Sequence, residues 1–416
     1  MIRKIAKNTV FLSTAQVAGR LIGFFYFLFL ARFLGVATFG IYNFTLAFVY
    51  NFIPVADFGL ERLVLRDISR QPEKTTFYLA RLLPLRLLLS LGAYLLVLIL
   101  GLILGQSLRQ IGYLAIFGLF IFPYSFTYLL TSFLNAKEKM KYMAMAVVFG
   151  QLAVFMIGIT FVLLKFPLAV IFLAGVGGQL IVALVFLLKV KSWGLSLGWV
   201  IDKKFFKEAI GQSWVFATLT IVSVFYLRLS ILMVNFLRGA EATGLYSSAF
   251  KFIEAMILIP QSVALALFPH FSRLTLNKAR IKEIISPYLK GVAFLFFFSL
   301  PFVFVLTIFP ETIIKVAYGN EYLLAAPVFK ILALSLILFY VNALAANIIH
   351  NSKEVKLFLP LLISNFLIKI LFCLLFIPRW SIIGAAWAVV FGEFFGLIIS
   401  NLFIFYILKK KKCLVQ

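Results

Sequence analysis

Acidic residues are scarce in this 416-residue chain: fourteen Asp and Glu stand against 39 Lys and Arg, and charged residues of every kind make up 13%. A soluble domain carries about 25% charged and about 45–50% apolar residues. Here 64% are hydrophobic and mean hydropathy is +1.10, which excludes a soluble globular fold. Cysteine is nearly absent. Cys373 sits in an apolar run and Cys413 in the terminal tail, so neither a disulfide framework nor metal-ligand spacing is available. The two histidines, His270 and His350, fall at predicted cytoplasmic ends of helices. No Ser-His-Asp or paired-carboxylate constellation is found, so no catalytic residue is assigned. A glycine-rich phosphate loop ending in Lys-Ser or Lys-Thr is missing too, which argues against nucleotide hydrolysis.

Long apolar runs fill the chain instead. About 20 such residues cross the hydrocarbon core as a helix, and twelve runs qualify: 10–32, 39–58, 82–104, 112–134, 142–164, 167–188, 209–235, 244–268, 291–309, 325–349, 356–377 and 382–408. The first is interrupted by Arg20 and is expected to be a retained helix rather than a cleaved signal. The final KKKKCLVQ matches a prenylation box formally, but a basic cytoplasmic tail is the plainer reading.

Most connections are short. The exceptions are 59–81 and the joining segment 189–208, whose Lys189, Lys191, Lys203, Lys204 and Lys207 flank Trp193 and Trp199, residues suited to the headgroup layer. This gives three parts: an N-terminal six-helix bundle (1–190), a cytoplasmic amphipathic linker (191–208), and a C-terminal six-helix bundle with a basic tail (209–416). The halves are related in sequence. FLGVATFGIY (33–42) returns about 204 residues later as FLRGAEATGLY, with Gly244 and Tyr246 standing where Gly40 and Tyr42 stood. A repeat at half the chain length is a transporter's habit.

Charge sets the orientation. With a cytoplasmic N-terminus, 27 of the 39 Lys and Arg fall on inward segments, and both termini face the cytoplasm. Six lie on outward loops: Arg32, Arg109, Lys165, Arg238, Lys315 and Arg379. The net positive charge is thus a topology signal, and no nucleic-acid partner is expected. Prolines recur within the runs at Pro54, Pro123, Pro260 and Pro301, where neighbours or water must satisfy the freed backbone groups.

Six cations remain inside the predicted helices: Arg20, Arg86, Arg228, Lys251, Lys330 and Lys369; the acids are Glu254 and Glu393. A charge at the bilayer centre costs about 2.5–3.5 kcal/mol on insertion scales, so such groups face a bundle interior or a hydrated cavity. Arg86, within a turn or so of a helix end, is expected to snorkel to the surface. Arg20 shares a helical face with Ser13, Gln16 and Gly23, a polar stripe on an otherwise apolar helix. Lys251 and Glu254, three apart, are placed to pair. Glu393 has two open roles, pairing with Lys369 or coupling to protons or sodium. Five cations against two acids leave surplus positive charge, which suits a phosphate or pyrophosphate group. A membrane glycosyltransferase or polymerase would display a sizeable catalytic loop. The longest outward connection, about 310–324, holds only Glu311, Lys315 and Glu321.

With these residues in hand, the chain resembles the Wzx-type polysaccharide-biosynthesis flippases of the multidrug, oligosaccharidyl-lipid and polysaccharide exporter superfamily. The resemblance is carried by FLGVATFGIY with DFGL and RDISR (33–70), ATGLYSSAFKFIEAMILIPQSVALALFPHFSRL (242–274), YGNEYLLAAPVFKILALS (318–335) and SIIGAAWAVVFGEFFG (381–396). It implies an all-α polytopic membrane protein whose two six-helix bundles, related by a pseudo-two-fold axis along the membrane normal, enclose a central cavity. It also implies alternating access that moves a polyisoprenoid-(pyro)phosphate-linked oligosaccharide to the outer leaflet of the plasma membrane. No cofactor is implied beyond a proton or sodium gradient; a polymerase and glycosyltransferases of the same pathway are the implied neighbours, with membrane lipids around the chain. Substrate contacts are expected from Arg20, Gln16, Arg228, Lys251, Lys330 and Lys369, with Glu254 and Glu393 for ion coupling or charge pairing and no metal site. One departure stands out: Ser230 occupies the place after the helix 7 arginine where many members have an acid. Twelve crossings rather than fourteen also separate the chain from the lipid II flippase branch. The alternatives are a cation-coupled multidrug antiporter of the same superfamily and a membrane glycosyltransferase or polymerase.

Overall fold

The computed structural model describes residues 2–136, 140–192, 198–257, 259–260, 263, 281–350 and 354–413. Of the residues singled out above, Trp193, His270 and most of the end of the run 244–268 lie outside the described residues, as do the side chains of Ser13, Gln16, Lys189, Lys191, His350 and Cys413. Every regular element among the described residues is helical. Hydrocarbon offers backbone groups no water, and a helix satisfies them within its own segment.

The helices are α1 (Ile2–Leu34), α2 (Val36–Asp57), α3 (Leu60–Arg70), α4 (Thr75–Ile103), α5 (Leu108–Gly118), α6 (Ile121–Ala136), α7 (Met140–Leu163), α8 (Leu168–Ser192), α9 (Lys203–Met256), α10 (Ile281–Ile308), α11 (Pro310–Tyr318), α12 (Ala326–His350) and α13 (Val355–Cys413). Nine stretches among the described residues are long and apolar enough to cross a membrane, with α5 and α6 sharing one. Two of the nine are double. α9 breaks at Gly239 (φ 82°) and α13 at Ser381 (φ 51°), each becoming two crossings. The shorter apolar part of α7, Val148–Leu163, completes the twelve expected from sequence. The chain is a multi-pass membrane protein.

Boundaries moved where packing outran hydropathy. The third crossing begins at Thr75 rather than near 82, because Phe77 and Tyr78 pack on Phe205 while Ala80 and Arg81 hold the segment before α9. The fourth run is two helices. Its interruption at Leu119–Phe120 puts Pro123 in the first turn of α6, where its missing N–H leaves no orphaned carbonyl. The outward connection near 310 is itself ordered, as α11 followed by a 3-10 turn over Asn320–Ala325.

The chain forms two compact units. Unit 1 comprises Met1–Leu34 and Ile41–Phe225; unit 2 comprises Gly35–Gly40 and Tyr226–Gln416. In unit 1 the amphipathic α3 lays Leu60, Leu63, Val64 and Ile68 on Leu82, Leu85, Leu129 and Phe133, while Arg62, Arg66 and Arg70 stay exposed. The segment entering α9 is fastened to the start of α4. Val200 N–H donates to the Ala80 carbonyl at 2.9 Å, and Asp202 meets Arg81 at 3.0 Å. Asp202 also caps α9 by accepting from the Phe205 N–H at 3.0 Å. That backbone bond, helped by Arg81, holds the Asp202 carboxyl below its ordinary value.

Unit 2 has a tyrosine-rich core. Tyr246, Tyr322 and Tyr340 are fully buried, and Tyr318 donates to the Ser248 carbonyl at 2.9 Å. Arg238 donates to the carbonyls of Ile377 and Pro378, just ahead of the reversal at Ser381. The repeated glycines meet here. A Cβ on Gly40 would collide with the Ala240 carbonyl, and one on Gly244 with the Val36 carbonyl. Two copies of one motif thus cross backbone to backbone.

Gly40→Ala and Gly244→Ala are expected to destabilise the fold by about 1–3 kcal/mol or more, the cost of overpacking. Gly92→Ala, whose Cβ meets open space, leaves thermal unfolding in detergent unchanged. Equal melting temperatures for all three would remove the crossing as a constraint.

Candidate functional site

Among the described residues, three groups of polar side chains interrupt the apolar bundles. In unit 2, the two halves of α9 bring Arg228, Lys251 and Glu254 together. Lys251 Nζ lies 2.8 Å from Glu254 Oε2, and Arg228 Nη2 lies 3.7 Å from Glu254 Oε1. All three side chains are partly exposed, between 22% and 30%. The expected Lys251–Glu254 pairing is present, and Glu254 also reaches the second cation. Two cations thus share one carboxylate, and none of the three side chains is fully buried.

The second group lies deeper in unit 2. Lys369 on α13 is 1% exposed, and its ammonium donates to the Tyr226 carbonyl at 2.9 Å while lying 4.0 Å from the centre of the Tyr226 ring. Glu393, 5% exposed on the second half of α13, accepts from the Asn342 amide at 3.3 Å and sits within electrostatic reach of Lys369. Gly392 makes room for this, since a Cβ there would press on the Lys369 stem at 3.2 Å. Asn365 is buried beside Gly396 on the facing helix half. Buried this way, Lys369 is not placed to touch a bulky cargo.

In unit 1 the structure overturns one expectation. Arg86 does not snorkel: α4 starts at Thr75, which leaves Arg86 roughly three turns inside the helix rather than one. It is 3% exposed, with Nη2 at 2.5 Å from Asp57 Oδ1 and Nη1 donating to Ser125 Oγ at 3.2 Å. Its guanidinium also lies 5.6 Å from the centre of the Tyr128 ring. Asp57 does two jobs, because its other oxygen accepts from the Gly59 N–H at 3.1 Å and ends α2. Gly59 suits the turn by its φ of 71° and by its closeness to α9, where a Cβ would sit 2.8 Å from the Ser213 carbonyl. One turn on, Glu61 accepts from the Tyr128 hydroxyl at 2.5 Å. Burial raises the Glu61 carboxyl above its ordinary 4.5, and Tyr128 offsets only part of that.

The remaining predicted residues stand apart. Arg20 is exposed on α1 in unit 1, and Lys330 is exposed near the start of α12 in unit 2. The predicted cations therefore divide by access: Arg20, Arg228, Lys251 and Lys330 are reachable, and Lys369 is not. Asp57, Tyr226, Asn342 and Asn365 were not singled out from sequence as site residues. Asp57 and Arg86 carried a usable signal, opposite charges near the same membrane face. The two asparagines carried none.

A family model described as polysaccharide biosynthesis protein matches residues 5–275, more than half of the chain. An uncharacterized membrane protein of Methanocaldococcus jannaschii is 24% identical over 249 residues, covering 55% of this chain and 48% of that relative, about half its length. Among solved structures, an inward-facing multidrug resistance MATE family transporter of the MOP superfamily matches with a TM-score of 0.79 at 13% identity, over 95% of each chain. A MOP superfamily transporter from Pyrococcus furiosus, with a binding pocket described as of reverse polarity, matches at 0.71 and 16% identity, over 98% of this chain and 97% of that one. The lipid II flippase MurJ in an inward closed conformation also matches at 0.71 and 16%, over 95% and 87%. The fold is that of these MOP superfamily transporters.

Two outcomes follow for unit 1. Arg86→Ala strands the Asp57 charge and is expected to cost about 3–5 kcal/mol, whereas Arg86→Met with Asp57→Ala recovers much of it; a double-mutant cycle on thermal unfolding reads this. Because Glu61 binds its proton more tightly folded than unfolded, its contribution falls as pH rises through the window just above 4.5. Glu61→Gln should flatten that part of the melting temperature profile between pH 4.5 and 7, and an unchanged slope would exclude Glu61 as its source.

Proposed function

The chain belongs to the polysaccharide biosynthesis protein family, and on that premise we propose that it is a flippase. It moves polyisoprenoid-(pyro)phosphate-linked oligosaccharide from the cytoplasmic to the outer leaflet of the plasma membrane by alternating access, for cell-surface polysaccharide synthesis. The observation that carries this reading is the Arg228–Glu254–Lys251 triad: partly exposed, two cations to one acid, and held on one helix pair. A pyrophosphate approaching it meets guanidinium and ammonium donors already positioned by Glu254, so little side-chain ordering remains to be done on binding. Lys330 of the same unit and, separately, Arg20 of unit 1 are further exposed cations on the proposed route. The isoprenoid tail stays in the bilayer, and the sugar stays in water.

The coupling step is assigned to the buried group. Glu393 gains or loses a proton beside Lys369, and the internal balance of that pair changes without contact with cargo. A polymerase and glycosyltransferases of the same pathway consume and supply the cargo. A cation-exporting drug antiporter would need acids accessible to its substrate, and Glu254 is instead shared by two cations.

In proteoliposomes holding undecaprenyl-pyrophosphate-linked oligosaccharide, wild type is expected to expose the sugar to an external probe. Lys251→Ala, Arg228→Ala and Arg20→Ala should each slow this at least tenfold with normal membrane insertion. Unchanged rates in all three would sink the phosphate assignment, and uptake of organic cations without sugar exposure would move the chain to the antiporter class. Glu393→Gln should make residual flipping indifferent to a collapsed proton or sodium gradient; a variant still driven by the gradient removes Glu393 from coupling.

A further inference from the structure

Unit 1 carries a basic surface that plays no part in the proposed cargo route. α9 opens with Lys203, Lys204, Phe205, Phe206 and Lys207, and its two faces part at once. Phe205, Phe206, Ala209 and Ile210 pack into the core shared with α3, α4 and α6, while Lys203, Lys204 and Lys207 are exposed. Just ahead of the helix, Trp199 is 59% exposed and Ile201 63%. The backbone between them is fixed: Val200 bonds to the Ala80 carbonyl of α4, and Asp202 to Arg81. The two apolar side chains and the three lysines are therefore held in a set order. Tyr78 brings α3 alongside, its hydroxyl donating to Asp67 at 2.9 Å and its ring lying 5.6 Å from that of Phe205. Arg70, three residues beyond Asp67, adds an exposed cation from that helix.

The nearby acids do not neutralise this surface. Asp67 is engaged by Arg66 and Tyr78, and Asp202 by Arg81 and the Phe205 N–H. Glu73 and Glu208 are exposed, but they stand against Arg62, Arg70, Lys74, Lys203, Lys204 and Lys207, all exposed as well. Water suits the cations and not Trp199 or Ile201; hydrocarbon suits the apolar pair and not the cations. The headgroup layer suits both, because tryptophan settles at the acyl boundary while lysine reaches the phosphates. A zwitterionic headgroup brings its own cation beside its phosphate, so surplus lysine selects headgroups with net negative charge.

We propose that Trp199, Ile201, Lys203, Lys204 and Lys207, with Arg70 beside them, form a docking site for anionic phospholipids of the cytoplasmic leaflet. Trp199 and Ile201 enter the acyl boundary, and the lysines meet the phosphates of the surrounding lipids. Lipid bound here ties the start of α9 to the bilayer surface. The site is independent of the cargo and stands whether or not the chain flips a lipid-linked sugar.

The test reads lipid identity at Trp199. The full chain is placed in nanodiscs that mix phosphatidylcholine and phosphatidylglycerol in equal amounts, with a bromine label on one lipid or the other. Bromine quenches nearby tryptophan, and the part of the quenching that Trp199→Phe removes belongs to Trp199. That part should be about twofold stronger or more with labelled phosphatidylglycerol, and added salt should shrink the difference. Lys203→Ser with Lys204→Ser and Lys207→Ser should abolish it. Lys315→Ser with Arg379→Ser, two exposed cations expected to face outward, should leave it unchanged. No quenching at Trp199, or equal quenching by both lipids, overturns the proposal. So does a difference lost equally in the outward variant, which would reduce it to overall charge. Loss of the difference to inorganic pyrophosphate at matched ionic strength would make this a site for soluble anions and overturn the lipid assignment. If the triple variant does not insert, Lys204→Ser with Arg70→Ser decides: a weakened difference supports the site, and an unchanged one sinks it.

Discussion

The ion pair between Arg86 and Asp57 is the constraint on which unit 1 depends. Neither charge tolerates hydrocarbon alone, and each is placed by a different helix. Asp57 also terminates α2 by capping Gly59, so the position of the pair fixes where α3 departs along the membrane surface. Ser125 and Tyr128 close the group from α6, and Tyr128 in turn anchors Glu61. One buried charge pair thus sets the register of α2, α3, α4 and α6 together.

Unit 2 solves the same problem differently. Its buried cation, Lys369, is held by a backbone carbonyl and an aromatic face rather than by a contacting carboxylate. Its partly exposed cations, Arg228 and Lys251, share Glu254. Burial therefore sorts positive charge into two kinds, one that positions helices and one that stays partly exposed. The surplus of basic residues in the composition contains both kinds, and only packing tells them apart.

Much of this was readable in the sequence. Helix number followed from run length, because a lipid-spanning helix has little freedom in how long it is. The Gly40 and Gly244 correspondence was visible as a repeat, although not that the two glycines would face each other. The Lys251–Glu254 pair followed from spacing three apart on one helix. The fate of Arg86 did not, since hydropathy placed the start of α4 at residue 82 and hid two turns that Phe77 and Tyr78 hold by packing. Lys369 looked like a substrate contact because a lone cation on an apolar helix gives no hint of whether Tyr226, 143 residues away, covers it. Asn342 was silent for a like reason: its partner Glu393 is on another helix, and a neutral residue leaves no mark in a charge census.

The burial of Lys369 has a consequence for how the protein is made. Its crossing must enter the bilayer carrying a lysine, at a cost of about 2.5–3.5 kcal/mol if it enters alone. Tyr226, whose carbonyl and ring receive the ammonium, is synthesised well before it, but Glu393 comes after it on the returning half of α13. Arg238, also made earlier, donates to the carbonyls of Ile377 and Pro378 just before the chain reverses. Order of synthesis thus presents the last hairpin with a docking surface already in place. Its two halves are best released into lipid as a pair, so that biogenesis of the final crossings depends on residues laid down more than a hundred positions upstream.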